Sequence, residues 1–436
     1  MPFLVLALAL ALHRSGPALR DSAPCPGVTG YTCSTLDVPL DRTGRHQGTL
    51  HLRVGAADNA KAPHGVLLVL AGGPGQPGLP ILDRFVDKAL AAEKQTYRIV
   101  VFDQRGTGGG ALDCEAMQQQ MGASDLYPPA AAAVRACAAK LGGRRQFYGT
   151  DDVVADIDAL RRALGADRIA LDGISYGTYV GERYALAHPD HVSKLVLDSV
   201  VPHVGLTDLG VIEFRGTARV LRSVCGQRCV DDLAAVVKRY HNGVDVLDAL
   251  TTDSIVDPTY KTVFDIPQAL RAARSGAPGL LESFVANMHA GDQAPAEALD
   301  QGLHASALCA DWRYPWGTSA APLADREAAL NRAVAKLPAR ALFPFDRKTA
   351  TGNGFIRQCL PWAPTPPTPL DRRKITVPTL LVNGDHDLST PLEWARQELA
   401  RTTHGKLVVV PGAGHSTQSR SASDVSRNAV AAFLNG

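Results

Sequence analysis

The stretch Leu171-Asp172-Gly173-Ile174-Ser175-Tyr176-Gly177 decides how this chain is read. Just upstream, Arg168–Leu171 is a short run suited to a buried strand, and from Tyr176 to about His188 the pattern is helical, stopped by Pro189. A serine placed where a strand turns directly into a helix is forced into a strained backbone conformation. Its neighbours two residues away on either side must then be small, a need that Gly173 and Gly177 meet. The turn holds the hydroxyl at the carboxyl edge of the sheet, above a helix N-terminus. The unpaired N–H groups and field of that terminus favour a developing oxyanion. Gly-x-Ser-x-Gly often arises by chance; the strand before it and the helix after it give it weight here.

The same alternation extends outward from this turn. Val66–Ala71 reads as a strand buried on both faces, followed by the turn Gly72–Gly78, and Ile99–Phe102 reads as another, ending at Asp103. A helix starts at Asp151 or Asp152, with Val154, Ile157, Leu160 and Leu164 at helical spacing and Gly165 as its stop; Leu195–Leu197 is the next strand. Such alternation is the pattern of βα units on a parallel sheet.

Between 201 and 370 the character changes to short amphipathic helices: Val230–Tyr240, Ile266–Arg274, Leu280–His289 and Arg326–Leu337. The proline-rich segment Pro361–Pro369 reads as an extended return. Alternation resumes with Thr379–Val382 as strand, Pro391–Leu399 as helix, Leu407–Val410 as strand and a closing helix to Phe433. The expected architecture is one α/β core built from 24–200 and 371–436, with residues 201–370 inserted as a helical lid.

A serine needs a base to act as a nucleophile. On a sheet of this kind the chain order is serine, acid, histidine, the last two on loops after later strands. His415, in the Gly-rich turn after Leu407–Val410, is the expected base. Asp385 and Asp387 both lie in the loop after Thr379–Val382, and either would serve a turn equally well. His386 between them is too little for a metal site. Oxyanion donors are expected from the backbone N–H of Tyr176 and from Gly73 rather than Gly72 in Gly72-Gly73-Pro74-Gly75. Neither Gly72–Gly78 nor Gly106–Gly110 has the Lys-Ser/Thr ending of a phosphate-binding loop, and this chemistry requires no cofactor.

The composition bounds the setting. The chain has 436 residues, is 45% hydrophobic and carries a formal net charge of +2, with no basic stripe that would ask for nucleic acid. Phe3–Leu12 is an unbroken apolar run, about half the length a membrane-spanning helix needs. It matches the core of a signal peptide, expected over 1–23, although no Lys or Arg precedes it. Eight cysteines, an even number without zinc spacing, agree with a secreted or periplasmic protein. Locality favours the pairings 25–33, 114–137, 225–229 and 309–359.

Together these motifs resemble the proline iminopeptidase and secreted tripeptidyl aminopeptidase group of α/β-hydrolases. The resemblance runs through Cys33–Asp41, Gly72–Gly75, Asp103-Gln104-Arg105-Gly106-Thr107-Gly108, Gly173–Gly177, Cys309-Ala310-Asp311-Trp312, Gly384–Pro391 and Gly414-His415. It implies an α/β-hydrolase fold, and it selects Asp387 as the acid, two residues before Ser389-Thr390-Pro391. It also implies that lid carboxylates, with Glu213, Glu282 and Asp311 as candidates, bind a substrate's free amine. Two departures bear on substrate choice: Ala71 stands where the family usually has His, and Gln76-Pro77-Gly78 where it often has Gly-Ser-Gly. The expected function is an exported serine exopeptidase acting on peptides through an acyl-enzyme. The alternatives are an esterase or lactonase with the same triad, and a catalytically silent binding protein.

Overall fold

A computed structural model describes residues 16–82, 85–205 and 208–436. One nine-stranded sheet organises the chain, comprising β1 (Leu19–Pro24), β2 (Tyr31–Pro39), β3 (Thr49–Ala57), β4 (Val66–Leu70), β5 (Arg98–Phe102), β6 (Ile169–Ile174), β7 (Val192–Asp198), β8 (Thr379–Gly384) and β9 (Gly405–Val410). The strand order is β1-β2-β3-β5-β4-β6-β7-β8-β9. From β5 to β9 every pairing is parallel, whereas β1, β2 and β3 join antiparallel. All residues of β4, β6 and β8 are buried, as continuous apolar runs covered on both faces must be. β2 instead alternates between buried and partly exposed positions along most of its length, as befits an antiparallel strand with one wet face.

The apolar run Phe3–Leu12 lies outside the described residues. The last part of the expected 1–23 leader, from Leu19, belongs to β1, an edge strand exposed from Arg20 to Pro24.

Helices between Val211 and Cys359 separate β7 from β8 and form the helical insertion. Four match the sequence expectation closely, at Gln227–Tyr240, Ile266–Arg274, Gly279–Gly291 and Leu323–Ala335. The helix Gln301–Asp311 was not legible because every one of its residues is buried, so it lacks the polar stripe that marks a surface helix. Residues 361–370 form neither helix nor strand. All eight cysteines are paired, as Cys25–Cys33, Cys114–Cys137, Cys225–Cys229 and Cys309–Cys359, the pairings that locality favours. Among the described residues no helix is long and apolar enough to cross a membrane.

Candidate active site

β4 and β6 are neighbours in the sheet, so the loops that leave their carboxyl ends meet. β6 ends at Ile174; Ser175 follows with φ 56° and ψ −129°, and the helix Tyr176–Ala187 begins at the next residue. The small neighbours are needed: a Cβ on Gly173 would stand 2.4 Å from the Gly177 carbonyl oxygen, and one on Gly177 2.2 Å from that of Leu70. The Ser175 N–H donates to the Asp198 carbonyl at the end of β7 (3.0 Å).

Beside the serine lies the loop after β4. A Cβ on Gly72 would approach the Ser175 Cβ to 2.9 Å and its Oγ to 3.4 Å, so this backbone runs directly against the hydroxyl. Gly73 has φ 100°, and a Cβ there would meet the Gly75 nitrogen at 2.6 Å. Among the described residues the N–H groups of Gly73 and Tyr176 have no protein acceptor. The Asp103–Arg105 segment braces this loop. Gln104 Nε2 donates to the Ala71 carbonyl (3.3 Å), and the Leu79 N–H donates to Asp103 (2.9 Å). Arg105 is itself fixed by a two-point ion pair with buried Asp156 (2.6 and 2.7 Å).

The acid and the histidine meet after β8 and β9. His415 Nδ1 lies 3.0 Å and 3.3 Å from the two carboxylate oxygens of Asp387, which is fully buried. Thr390 orients that carboxylate, giving its N–H to one oxygen (2.9 Å) and its hydroxyl to the other (2.7 Å). Asp385 points elsewhere and accepts the Gly412 N–H (2.7 Å), a turn role. Both nitrogens of His386 are occupied, Nδ1 by the Pro258 carbonyl (2.7 Å) and Nε2 by Ser223 Oγ (3.1 Å).

Asp198 ties the histidine loop to the serine. Its carboxylate accepts the Thr417 N–H (2.9 Å), the Thr417 hydroxyl (2.9 Å) and the Gln418 N–H (2.8 Å). Next to it, Ser199 Oγ accepts the Ser416 N–H (2.8 Å), and Gln418 Nε2 reaches Asp172 of the serine turn (3.0 Å). From the insertion, the helix Gly243–Val256 presses its end onto the same loop: the Ser254 carbonyl accepts the His415 N–H (3.2 Å). The adjacent Asp253 is buried, neither oxygen has a partner among the described residues, and burial pushes its carboxyl up to about 7. Sequence reasoning missed Asp198, Ser199, Thr390 and Asp253. Only Asp198 had a local signal, as the last residue of a buried apolar strand.

The three carboxylates expected to meet an amine separate clearly. Asp311 accepts the Thr150 hydroxyl (2.6 Å), the Tyr176 hydroxyl and the Thr368 hydroxyl, and so ties the insertion to the residue after Ser175. Glu282 is exposed. Glu213 is buried, Oε2 has no partner, and it lines a cavity with Asp208, Leu209, Trp312 and Phe355. Burial and the Asp208 charge hold its carboxyl well above the usual range.

Residues 65–215 match the family described as alpha/beta hydrolase fold, and residues 345–436 the family described as TAP-like protein. Over 188 residues the chain is 32% identical to a tripeptidyl aminopeptidase of Streptomyces lividans, covering 39% of this chain and 35% of that protein. The match therefore spans about a third of the length of that relative. The chain is 25% identical over 460 aligned positions to the serine protease Hip1 of Mycobacterium tuberculosis, covering 93% of this chain and 86% of that one. A probable proline iminopeptidase of Streptomyces coelicolor is 34% identical over 139 residues, 32% of this chain and 34% of the relative. With the sheet order, the serine turn and these matches in place, the chain has the α/β-hydrolase fold, and its C-terminal part is similar to the TAP-like proteins.

Proposed function

We propose that this protein is an exported serine aminopeptidase that releases short N-terminal fragments from peptides through an acyl-enzyme. Ser175 attacks the scissile carbonyl, His415 takes its proton and returns it to the leaving amine, and Asp387 keeps the imidazole in the required tautomer. The N–H groups of Tyr176 and Gly73, which have no protein acceptor among the described residues, stabilise the oxyanion. The observation that carries this reading is the Asp387–His415 contact, on a loop fastened through Asp198 to the strand end that also holds the Ser175 N–H. The four disulfides support an oxidising compartment outside the cytoplasm.

Glu213 favours a peptide over a simple ester. A buried carboxylate with one oxygen unpartnered among the described residues is costly unless a cation or a proton satisfies it, and an α-ammonium group is the cation that a peptide N-terminus brings. An esterase has no use for such a group. The deciding experiment is a peptide-library digest read by mass spectrometry, together with turnover of aminoacyl and tripeptidyl anilides against simple acyl esters. Short N-terminal fragments, with N-acetylated peptides left intact, are the expected result; ester turnover without anilide cleavage would select the esterase alternative.

A further inference from the structure

The insertion helix Gln301–Asp311 reaches both segments that carry the proposed oxyanion donors. At its C-terminal end Asp311 accepts the hydroxyl of Tyr176. At its other end Asp300, fully buried, lies backbone to backbone against the loop after β4. The Asp300 N–H donates to the Gly75 carbonyl (3.1 Å), and a Cβ on Gly75 would stand 2.6 Å from the Asp300 carbonyl oxygen. Gly75 is in turn folded tightly onto Gly73, where a Cβ would meet the Gly75 nitrogen at 2.6 Å. The Asp300 carboxylate secures this joint from behind. One oxygen caps the helix by accepting the Leu303 N–H, and the other accepts the Asp113 N–H (3.0 Å), just before Cys114. Leu303 packs on Gly106 of the bracing segment, where a Cβ would lie 3.2 Å from Leu303 Cδ1. Burial pushes the Asp300 carboxyl up to about 6, against the pull of its N–H donors, so above that pH it is ionised and only accepts.

From these contacts we infer that Asp300 is a positioning residue for the oxyanion hole, acting through the Gly75 carbonyl to set where the Gly73 N–H points. The inference rests on the oxyanion role proposed for Gly73 and adds that the insertion controls it. A donor lowers the barrier only if it is already aimed at the position where charge develops. Gly73 and Gly75, with φ 100° and 112°, sit in backbone conformations open to glycine, and glycine by itself holds no single conformation. The clamp by Asp300 removes that freedom. Asp311 holds Tyr176 at the far end of the same helix, which at 11 residues is a rigid strut about 16 Å long. One helix therefore sets the spacing of the two donor segments, which arise from different strands of the sheet.

The test compares the full chain with Asp300→Asn at pH 8, where the amide keeps the shape but turns one acceptor oxygen into a donor facing a donor. Asp300→Ser, which keeps a cap for Leu303 and gives up Asp113, serves if the first variant fails to fold. Two peptidyl ketones separate positioning from general damage. A trifluoromethyl ketone takes up the Ser175 oxygen at its carbonyl carbon and leaves a negative oxygen in the hole, whereas the matching methyl ketone stays trigonal. In the folded variant kcat on an anilide should fall by about 10- to 100-fold, less than the 10²–10³ expected for a donor removed outright, with KM little changed. Affinity for the trifluoromethyl ketone should fall in parallel and that for the methyl ketone should hold. An unchanged kcat and trifluoromethyl ketone affinity, or an equal loss on both ketones, overturns the role of Asp300. Unmutated protein that fails to prefer the trifluoromethyl ketone overturns the oxyanion hole itself, and the inference with it, so the two failures are told apart.

Discussion

Asp198 holds Thr417 by its carboxylate at 2.9 Å from the backbone N–H, and with its own carbonyl it holds the N–H of Ser175 at 3.0 Å. One residue at the end of β7 thus fixes both the proposed nucleophile and the loop of the proposed base. Burial raises the Asp198 carboxyl from its ordinary value, opposed by the three donors it accepts and the His415 charge. Asp198→Asn keeps the shape but replaces one acceptor oxygen with a donor that faces other donors. The histidine loop should shift, and small misplacements of a catalytic group cost about 10²-fold. We expect kcat on an anilide substrate to fall by about that factor with KM little changed. Steady-state kinetics beside a melting curve separates this from unfolding.

Asp385 and Asp387 allow a sharper comparison within one loop. Asp387→Asn should reduce kcat by about 10⁴-fold, since the amide favours the wrong imidazole tautomer. Asp385→Asn can still accept the Gly412 N–H through its amide oxygen and should stay within a few-fold of the parent enzyme. Reversed magnitudes would reassign the acid. Ser175→Ala should abolish labelling by a fluorophosphonate probe.

The parallel half of the sheet was legible because its strands are buried on both faces, so β4, β5, β6 and β8 stand out as apolar runs ended by glycine or aspartate. The half-exposed β2 and β3 carry polar residues such as Thr35, Asp37 and Arg53 in alternation, and no apolar run announced them. Ser175 and His415 could be read from local turn chemistry. Choosing between Asp385 and Asp387 required geometry or a relative, because the two differ only in which way the loop folds. The tethering role of Asp311 was hidden for a related reason. A carboxylate on an inserted helix looks free in sequence, and only the convergence of Thr150, Tyr176 and Thr368, remote from it in the chain, shows it to be a tether.

Glu213→Gln tests the amine subsite directly. Replacing the carboxyl that would ionise to pair with the ammonium, in the cavity beside Asp208, should raise KM for peptides with a free N-terminus by about 10- to 100-fold, in the range measured for desolvated charge pairs. Its kcat should change little. Turnover of a small acyl ester lacking an amine should be unaffected, and an equal loss on both substrates would rule out amine recognition.

Stability should fall as pH rises from about 4.5 to about 7, through the buried carboxyl of Glu93. Burial pushes the Glu93 carboxyl from 4.5 up to about 7. The folded chain therefore binds more protons than the unfolded one across that window. Its contribution to stability is complete below 4.5, lost through 7 and flat beyond. Burial raises Tyr97 and Asp172 from their ordinary values, and the Glu93 charge adds to both shifts. Glu93→Gln, neutral at every pH, should flatten the melting temperature across this range. A parent-like slope in the variant would assign the effect to other buried acids, such as Asp248 and Asp253, each pushed up to about 7.

The disulfides should not contribute equally. Cys309–Cys359 closes a sequence separation of 50 residues, and Cys225–Cys229 one of 4. In the chain-entropy treatment these loops correspond to about 4 and about 2 kcal/mol of unfolded-state restriction. Replacing both cysteines of the longer bridge by serine should therefore lower the melting temperature more than the same change at the shorter one. The larger loss has a functional partner. Cys309 lies two residues before Asp311, whose carboxylate holds the Tyr176 hydroxyl, so a loosened helix end should also let the residue after Ser175 move. The long-bridge variant should lose kcat even at temperatures where circular dichroism shows it folded, while the short-bridge variant keeps it. Equal kcat in the two folded variants would show that the Asp311 tether holds without its neighbouring crosslink.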